Sequence, residues 1–447
     1  MGEVEVLNPL DVVVNPVVAK SPALVKGSKP KPFDGILNIQ EAVLPVTEEQ
    51  RAQLRSTTPA PSEHDGVSYS GRSESSDHAD KVAAELRRRR LYIASHRDDF
   101  PHDAEFNANL SEAREAIRRG VYPELIAAGS SGSYFVRDSN GEFLAVFKPN
   151  DEEPFRSNNP KWPKFFQRIL CPCCFGRACL IPNNGYLSEC AASIVDDSLK
   201  LDLVPKTRIV KLYSPTFSFA KRCGRKIEAK PKEGSYQLFV HGYRSATEVL
   251  SEWNNQGILN VLSEFEVDHF TFLFQKLCVL DYIIRNTDRH MDNWLIKHVP
   301  GVELKIAAID NGLAFPVKHP ETASRFRHFP FNWATLGWAK KQWNKQLSEY
   351  LLNLITPIYL HKICAELKTL FCHGISSRQL ISRQLRVFRG QVWNLIESLR
   401  AEETPNDMVK RTPILVTRKH GNTPPNNLNW NQWYRFKRVS YANRNCF

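Results

Sequence analysis

Between residues 263 and 285, apolar side chains recur at Phe270, Phe274, Leu277, Leu280 and Ile284. That spacing predicts a buried helix. The stripe runs straight into the polar stretch RNTDRHMDNW, residues 285–294. Upstream the pattern is shorter in period. GSYFV (132–136) and EFLAVFK (142–148) flank Asp138-Ser139-Asn140-Gly141, which predicts a β-hairpin. A helix is expected over 186–197, and strands over 204–213, 235–240 and 302–310. Amphipathic helices fill 345–400. Strands first and helices later predict an α+β fold, a small sheet lobe followed by a mainly helical lobe, with a cleft between them.

Composition sets the limits of that folded part. Residues 1–95 are rich in Pro, Ser and charge with few aromatics, a stretch expected to stay disordered because it cannot offset its ordering entropy. The run Arg87–Arg90 reads either as a solvated helix face or as a contact with an anionic membrane. Residues 401–447, polar and rich in Pro and Asn, are expected to form a loosely held tail. The formal charge of +12 favours an anionic partner without choosing one. No run approaches the roughly 18 to 20 apolar residues of a membrane span, and the N-terminus lacks the layout of a secretory signal. These features place the chain in the cytosol or on a cytosolic membrane face.

Three groups of residues carry chemistry. Gly129-Ser130-Ser131-Gly132-Ser133, at the mouth of the hairpin, offers small residues that let backbone N–H groups and hydroxyls approach phosphates. A flexible surface turn is the plain alternative. Lys148 ends the next strand, as does the nucleotide-binding strand lysine of protein kinases, and Glu189 on the following helix is a candidate partner. Asp288 and Asn293 have the Asp-x-x-x-x-Asn spacing of a kinase catalytic loop, in which the Asp takes or orients the hydroxyl proton and the Asn ligates a metal. Asp310, delivered by an apolar strand into Asp310-Asn311-Gly312, matches the metal-binding Asp of the kinase Asp-Phe-Gly position. Hard oxygens of this kind suit Mg²⁺, with Mn²⁺ as the alternative.

The loop is not that of an ordinary protein kinase. Asn286-Thr287, not His-Arg, precede Asp288, and His290 stands where Ser/Thr kinases carry Lys. Asp288-Arg289-His290 followed by Asp292-Asn293 resembles phosphoinositide kinases instead. With GSSGSYFV, NPKW, CPCCFGR, GYLSE, LDYIIRNTDR, DNWLIK and AAIDNGLAFP in the same order, the chain resembles the type II phosphatidylinositol 4-kinases over about residues 105–400. The resemblance implies an atypical two-lobed protein-kinase-like fold, with the small lobe at about 105–243 and the helical lobe at about 244–400. It implies ATP as phosphate donor and phosphatidylinositol in membranes as acceptor at its 4-hydroxyl. Gly129–Ser133 and Lys148 would then bind the phosphates, and Gln237, Leu238, Phe239 and Val240 would form the hinge beside adenine. Asp288 would be the catalytic Asp and Asp310 would hold Mg–ATP.

The same resemblance implies palmitoylated cysteines and residence on trans-Golgi, endosomal and also plasma membranes. Here Cys171, Cys173 and Cys174 follow Leu170, where the family reads Cys-Cys-Pro-Cys-Cys, so one acylation site is lost. Buried thiols or half of a zinc site are the alternatives, though no second ligand pair follows. Lys161, Trp162, Lys164, Phe165 and Phe166 mix cationic and aromatic character as interfacial segments do. Phe326 and Trp333 are further expected membrane contacts. Competing readings are a kinase-fold enzyme acting on protein or other hydroxyls, and an inactive adaptor. The presence of Lys148, Asp288 and Asp310 tells against the adaptor, and no recognised motif supports a nucleic-acid binder.

Overall fold

The computed structural model describes residues 100, 103–154, 156, 158–159, 177–217, 230–320, 329–375, 377–419 and 429–439. The expectations for residues 1–95, for Lys161 to Phe166, for Cys171, Cys173 and Cys174, and for Phe326 lie outside them.

The small lobe opens with helix α1 (Ala104–Arg118), followed by β1 (Glu124–Leu125), β2 (Tyr134–Arg137) and β3 (Phe143–Pro149). The β2–β3 turn forms because the Asp138 carboxylate accepts the backbone N–H groups of Asn140 and Glu142, both at 2.8 Å. Helix α2 (Gly185–Leu199) and strands β4 (Thr207–Leu212) and β5 (Lys232–Leu238) complete the lobe. The five strands take the order β1-β2-β3-β5-β4, with antiparallel neighbours throughout. Alternation on β2 and β3 sends Tyr134, Val136, Ala145 and Phe147 to one face. There they pack on Phe106, Leu110 and Ala113 of α1 to make a separate small core.

The chain crosses to the large lobe through residues 239–243. It continues as β6 (Arg244–Ser245), α3 (Ala246–Gln256), α4 (Glu264–Ile284), β7 (Trp294–Val299), β8 (Glu303–Ala308), α5 (Lys345–Leu354), α6 (Pro357–Gly374) and α7 (Arg378–Arg400). Each helix starts at a residue suited to accept its free N–H groups. Ser263 and Glu266 form a capping box at α4. Asn344, Thr356 and Ser377 cap α5, α6 and α7. The predicted stripe of α4 is the centre of the large core, where Phe270, Phe274, Leu277, Leu280 and Ile284 are all buried. The helix stops where Arg285 turns left-handed at φ +45°, which releases the polar loop behind it.

The expected loose tail is in part folded. A helical turn at Pro405–Lys410 leads to a hairpin of β9 (Ile414–Arg418) and β10 (Tyr434–Arg438), paired in continuous register. Met408, Val416, Trp433 and Tyr434 are buried in the large core. The hairpin lies against α7 because Gly390 has no side chain; a Cβ there would collide with the carbonyl of Ile414. An average over a Pro- and Asn-rich segment hides a few well-placed aromatics, which is why composition misjudged it.

Candidate active site

Lys148 leaves the end of β3 and meets two carboxylates. Its ammonium lies 2.5 Å from Glu189 Oε1 on α2 and 3.0 Å from Asp310 Oδ1 just after β8. The other Glu189 oxygen accepts the backbone N–H of Asn311 at 2.9 Å. Burial alone would lower the Lys148 ammonium, but Asp310 and then Glu189 override it and raise its pKa well above the ordinary lysine value. Lys148 in turn holds the Asp310 carboxyl below its usual range. Glu189 is shifted upward, because burial outweighs the pull of Lys148.

The helix that carries Glu189 is itself fixed. Glu153 accepts the backbone N–H groups of Tyr186 at 2.9 Å and of Gly185 at 3.2 Å, so a side chain from outside the helix caps its N-terminus. Eleven residues of α2 are buried, with Tyr186 and Leu187 joined to the large core. The Lys148–Glu189 pair is therefore held by packing as well as by charge.

Arg289 joins this group to the catalytic loop. It is 1% exposed and donates to Asp281 on α4 at 2.9 Å, to the carbonyl of Ile309 at 2.6 Å, and to the carbonyl of Asn293 and Asn311 Oδ1. Asp281 is fully buried too; burial raises its pKa while Arg289 opposes the shift. Asn293 donates its amide to the Asp288 carbonyl at 2.9 Å, leaving the amide oxygen as its acceptor. One hydrogen-bonded chain thus runs from Lys148 through Glu189, Asn311 and Arg289 to Asn293 and Asp288.

Asp288 has a partner that the sequence does not announce. Arg177 donates to Asp288 Oδ1 and to the Thr287 carbonyl, both at 2.6 Å, and lies 4.6 Å over the Phe329 ring. A cation from a distant segment therefore stands beside Asp288, whereas the nearby His290 donates no bond to it. Nothing in the sequence could point to Arg177, because 111 residues separate it from Asp288. Arg289 and Asp281 did leave a sign. A lone Asp within the apolar run of α4 needs a buried counter-charge.

The turn at Gly129–Ser133 is more constrained than a free surface loop. The Gly132 N–H donates to the Glu152 carbonyl at 2.9 Å, and Asn159 donates to the Ser130 carbonyl at 2.9 Å. Glu152 sits directly under the turn, where a Cβ at position 132 would strike its carboxylate. It is held there by Tyr134 and Lys232, each at 2.6 Å. At the expected hinge, Gln237 turns its side chain to Thr207 at 3.0 Å, while the Leu238 and Phe239 N–H groups donate to the Lys206 and Leu144 carbonyls. Leu238, Phe239 and Val240 are half-buried along the crossing between the lobes.

One expected membrane contact is corrected. Trp333 is 0% exposed, and its indole N–H donates to the buried Asp281 carboxylate at 3.0 Å. Its ring stacks on Phe331 at 4.9 Å in the large core, so it has no face left for a lipid. The aromatic-cationic pattern around it misled because a tryptophan with a buried acceptor satisfies the same local signal.

The profile of the family described as phosphatidylinositol 3- and 4-kinase matches residues 129–336, a span that holds every one of these groups. The chain is 39% identical over 385 residues to a zebrafish (Danio rerio) phosphatidylinositol 4-kinase type 2-alpha, covering 78% of this chain and 85% of that one. This chain belongs to the type 2 phosphatidylinositol 4-kinase family. It is 41% identical over 358 residues to the zebrafish type 2-beta protein, covering 71% of this chain and 70% of that one. With the mouse (Mus musculus) type 2-beta protein it shares 40% identity over 375 residues, or 75% and 78% of the two chains. As a member of this kinase family, it uses ATP and a divalent metal.

Proposed function

We propose that the chain transfers the γ-phosphate of ATP to the 4-hydroxyl of phosphatidylinositol, making phosphatidylinositol 4-phosphate. The observation that carries this reading is the single network joining Lys148, Glu189 and Asp310 to Asn293 and Asp288. Phosphoryl transfer needs positioning and countercharge more than covalent chemistry, and this network supplies both. Lys148 and the backbone of Gly129–Ser133 hold the ATP phosphates, and adenine lies beside Gln237–Val240. Asp288 orients the inositol hydroxyl and takes its proton as the oxygen–phosphorus bond forms and the bond to ADP breaks. Arg177 keeps the Asp288 carboxylate in place and adds positive charge beside it.

The donor set fits magnesium. Asp310 presents a carboxylate and Asn293 an amide oxygen, both hard ligands of the type such a cation takes along with phosphate oxygens and water. Bound there, the ion would offset the charge that develops on the leaving ADP. Among the described residues no three His, Cys, Asp or Glu side chains gather as a protein-only metal cage.

The reaction is tested by incubating purified protein with labelled ATP, magnesium and phosphatidylinositol vesicles beside an Asp288→Ala control. Labelled phosphatidylinositol 4-phosphate is expected from the wild type and near-background label from the variant. Equal label in the two, or none in the wild type, sinks the assignment.

Membrane attachment rests on sequence. Three cysteines, Cys171, Cys173 and Cys174, follow a basic-aromatic segment, and stable anchoring takes two such signals. No helix among the described residues is long and apolar enough to cross a bilayer. We propose acylation of these cysteines on the cytoplasmic face of Golgi and endosomal membranes, a location that the family resemblance suggests. Replacing all three cysteines by serine should move the protein from the membrane pellet to the supernatant. Unchanged sedimentation refutes the anchor.

A further inference from the structure

The C-terminal part of the chain carries a charge imbalance that the catalytic network does not use. No acidic residue follows Asp407, whereas eight lysines and arginines do. Helix α7 carries Arg383, Arg386 and Arg389. Three of these elements meet in one place, the junction of α6, α7 and the β9–β10 hairpin, around the adjacent buried rings of Trp433 and Tyr434. Arg389 of α7 lies 6.0 Å from the Tyr434 ring centre. Arg418 of β9 lies 5.9 Å from the Trp433 ring centre, and the His361 imidazole of α6 is 5.7 Å from the same ring.

What the junction lacks is a charged acceptor. Arg389 is 9% exposed, yet its Nε has no hydrogen-bond partner. The same holds for the Nε of Arg386 and the Nδ1 of His361. No ion pair to Arg386, Arg389 or Arg418 occurs among the described residues. The Cys364 thiol beside Arg389 is a weak acceptor. Burial, then the nearby Arg418 and Arg389, lower the His361 pKa, so the positive potential there is felt by a group that titrates. Aromatic faces offset part of the cost of confining a guanidinium, about 0.5 to 2 kcal/mol each. An uncompensated buried charge costs more than that.

We propose that Arg389, Arg418 and His361 form a binding site for a phosphate monoester at this junction. Donors approach from three separate elements, which suits the oxygens of a tetrahedral phosphate. A planar carboxylate would be satisfied by one guanidinium fork. A phosphate monoester reaches the protein from two sources. One is a soluble phosphate compound; the other is a phosphorylated lipid headgroup, which the proposed reaction itself makes. The site is independent of that reaction, since none of its residues belongs to the network around Lys148 and Asp288.

The test uses the full chain with its cleft saturated by a non-hydrolysable ATP analogue and magnesium, so that any further phosphate binding reports the second site. Inorganic phosphate is titrated by calorimetry into the wild type and into Arg389→Gln and Arg418→Gln variants. At least a tenfold loss of affinity is expected in each, with phosphatidylinositol turnover unchanged. Arg418 is only partly buried, so its variant keeps the test decisive where Arg389→Gln fails to fold. Phosphatidylcholine vesicles with and without phosphatidylinositol 4-phosphate distinguish the sources. Selective, Arg418-dependent binding to the phosphorylated vesicles supports the lipid headgroup. Arg418-dependent binding of inorganic phosphate without vesicle selectivity supports the soluble source. Equal phosphate binding by the wild type and Arg418→Gln, or none by the wild type, overturns the site.

Discussion

Replacing Asp310 by asparagine is expected to lower phosphatidylinositol turnover by about three orders of magnitude or more, with little change in thermal stability. That loss corresponds to about 4 kcal/mol of transition-state stabilisation, the size reached when a group aimed at developing charge is removed. The two effects separate because of where the side chain sits. Asp310 takes a left-handed backbone at φ +52°, a conformation that asparagine also tolerates. Its side chain is 57% exposed at the cleft, so the substitution opens no cavity. Lys148 keeps Glu189 as its partner. What disappears is a negative charge that Lys148 holds ionised well below neutral pH. Turnover is measured with labelled ATP at saturating metal, and folding by a thermal melt. Turnover within tenfold of the wild type would remove Asp310 from the metal role.

Much of this centre was legible before any coordinates, and the reason is local. A long apolar stripe ending at a polar loop fixes where a helix stops, and the spacing of Asp288 to Asn293 is a property of one loop. A strand that delivers Asp310 into a glycine turn is equally local. Glu189 was readable as a partner of Lys148 because few acidic residues lie on the one helix that follows it. Long-range pairings were not readable. Arg177 beside Asp288, Glu152 under the Gly129–Ser133 turn, and Glu153 capping α2 all depend on how distant segments return to one another. Burial of aromatics fails in the same way. Trp333 and Trp433 sit in polar neighbourhoods that look exposed, and only tertiary packing puts one on Asp281 and the other beside His361 of α6.

The second large effect concerns stability and activity together. Arg289→Leu is expected to cost about 3 to 5 kcal/mol, the usual result of breaking a fully buried ion pair from one side. The Asp281 carboxylate would remain buried with the Trp333 N–H as a remaining side-chain donor, and the Asn293 and Ile309 carbonyls would lose theirs. Adding Asp281→Leu removes the stranded charge, so the double variant should regain part of the lost stability. It should not regain turnover. Arg289 is what ties the catalytic loop to the segment that carries Asp310, through Asn293, Ile309 and Asn311, and a leucine pair cannot restore those bonds. Denaturant melts and the labelled-ATP assay on both variants separate the two roles. If stability and turnover recover together in the double variant, Arg289 acts only as a buried counter-charge. If stability recovers while turnover stays low, the arginine is the positioning residue that the geometry describes.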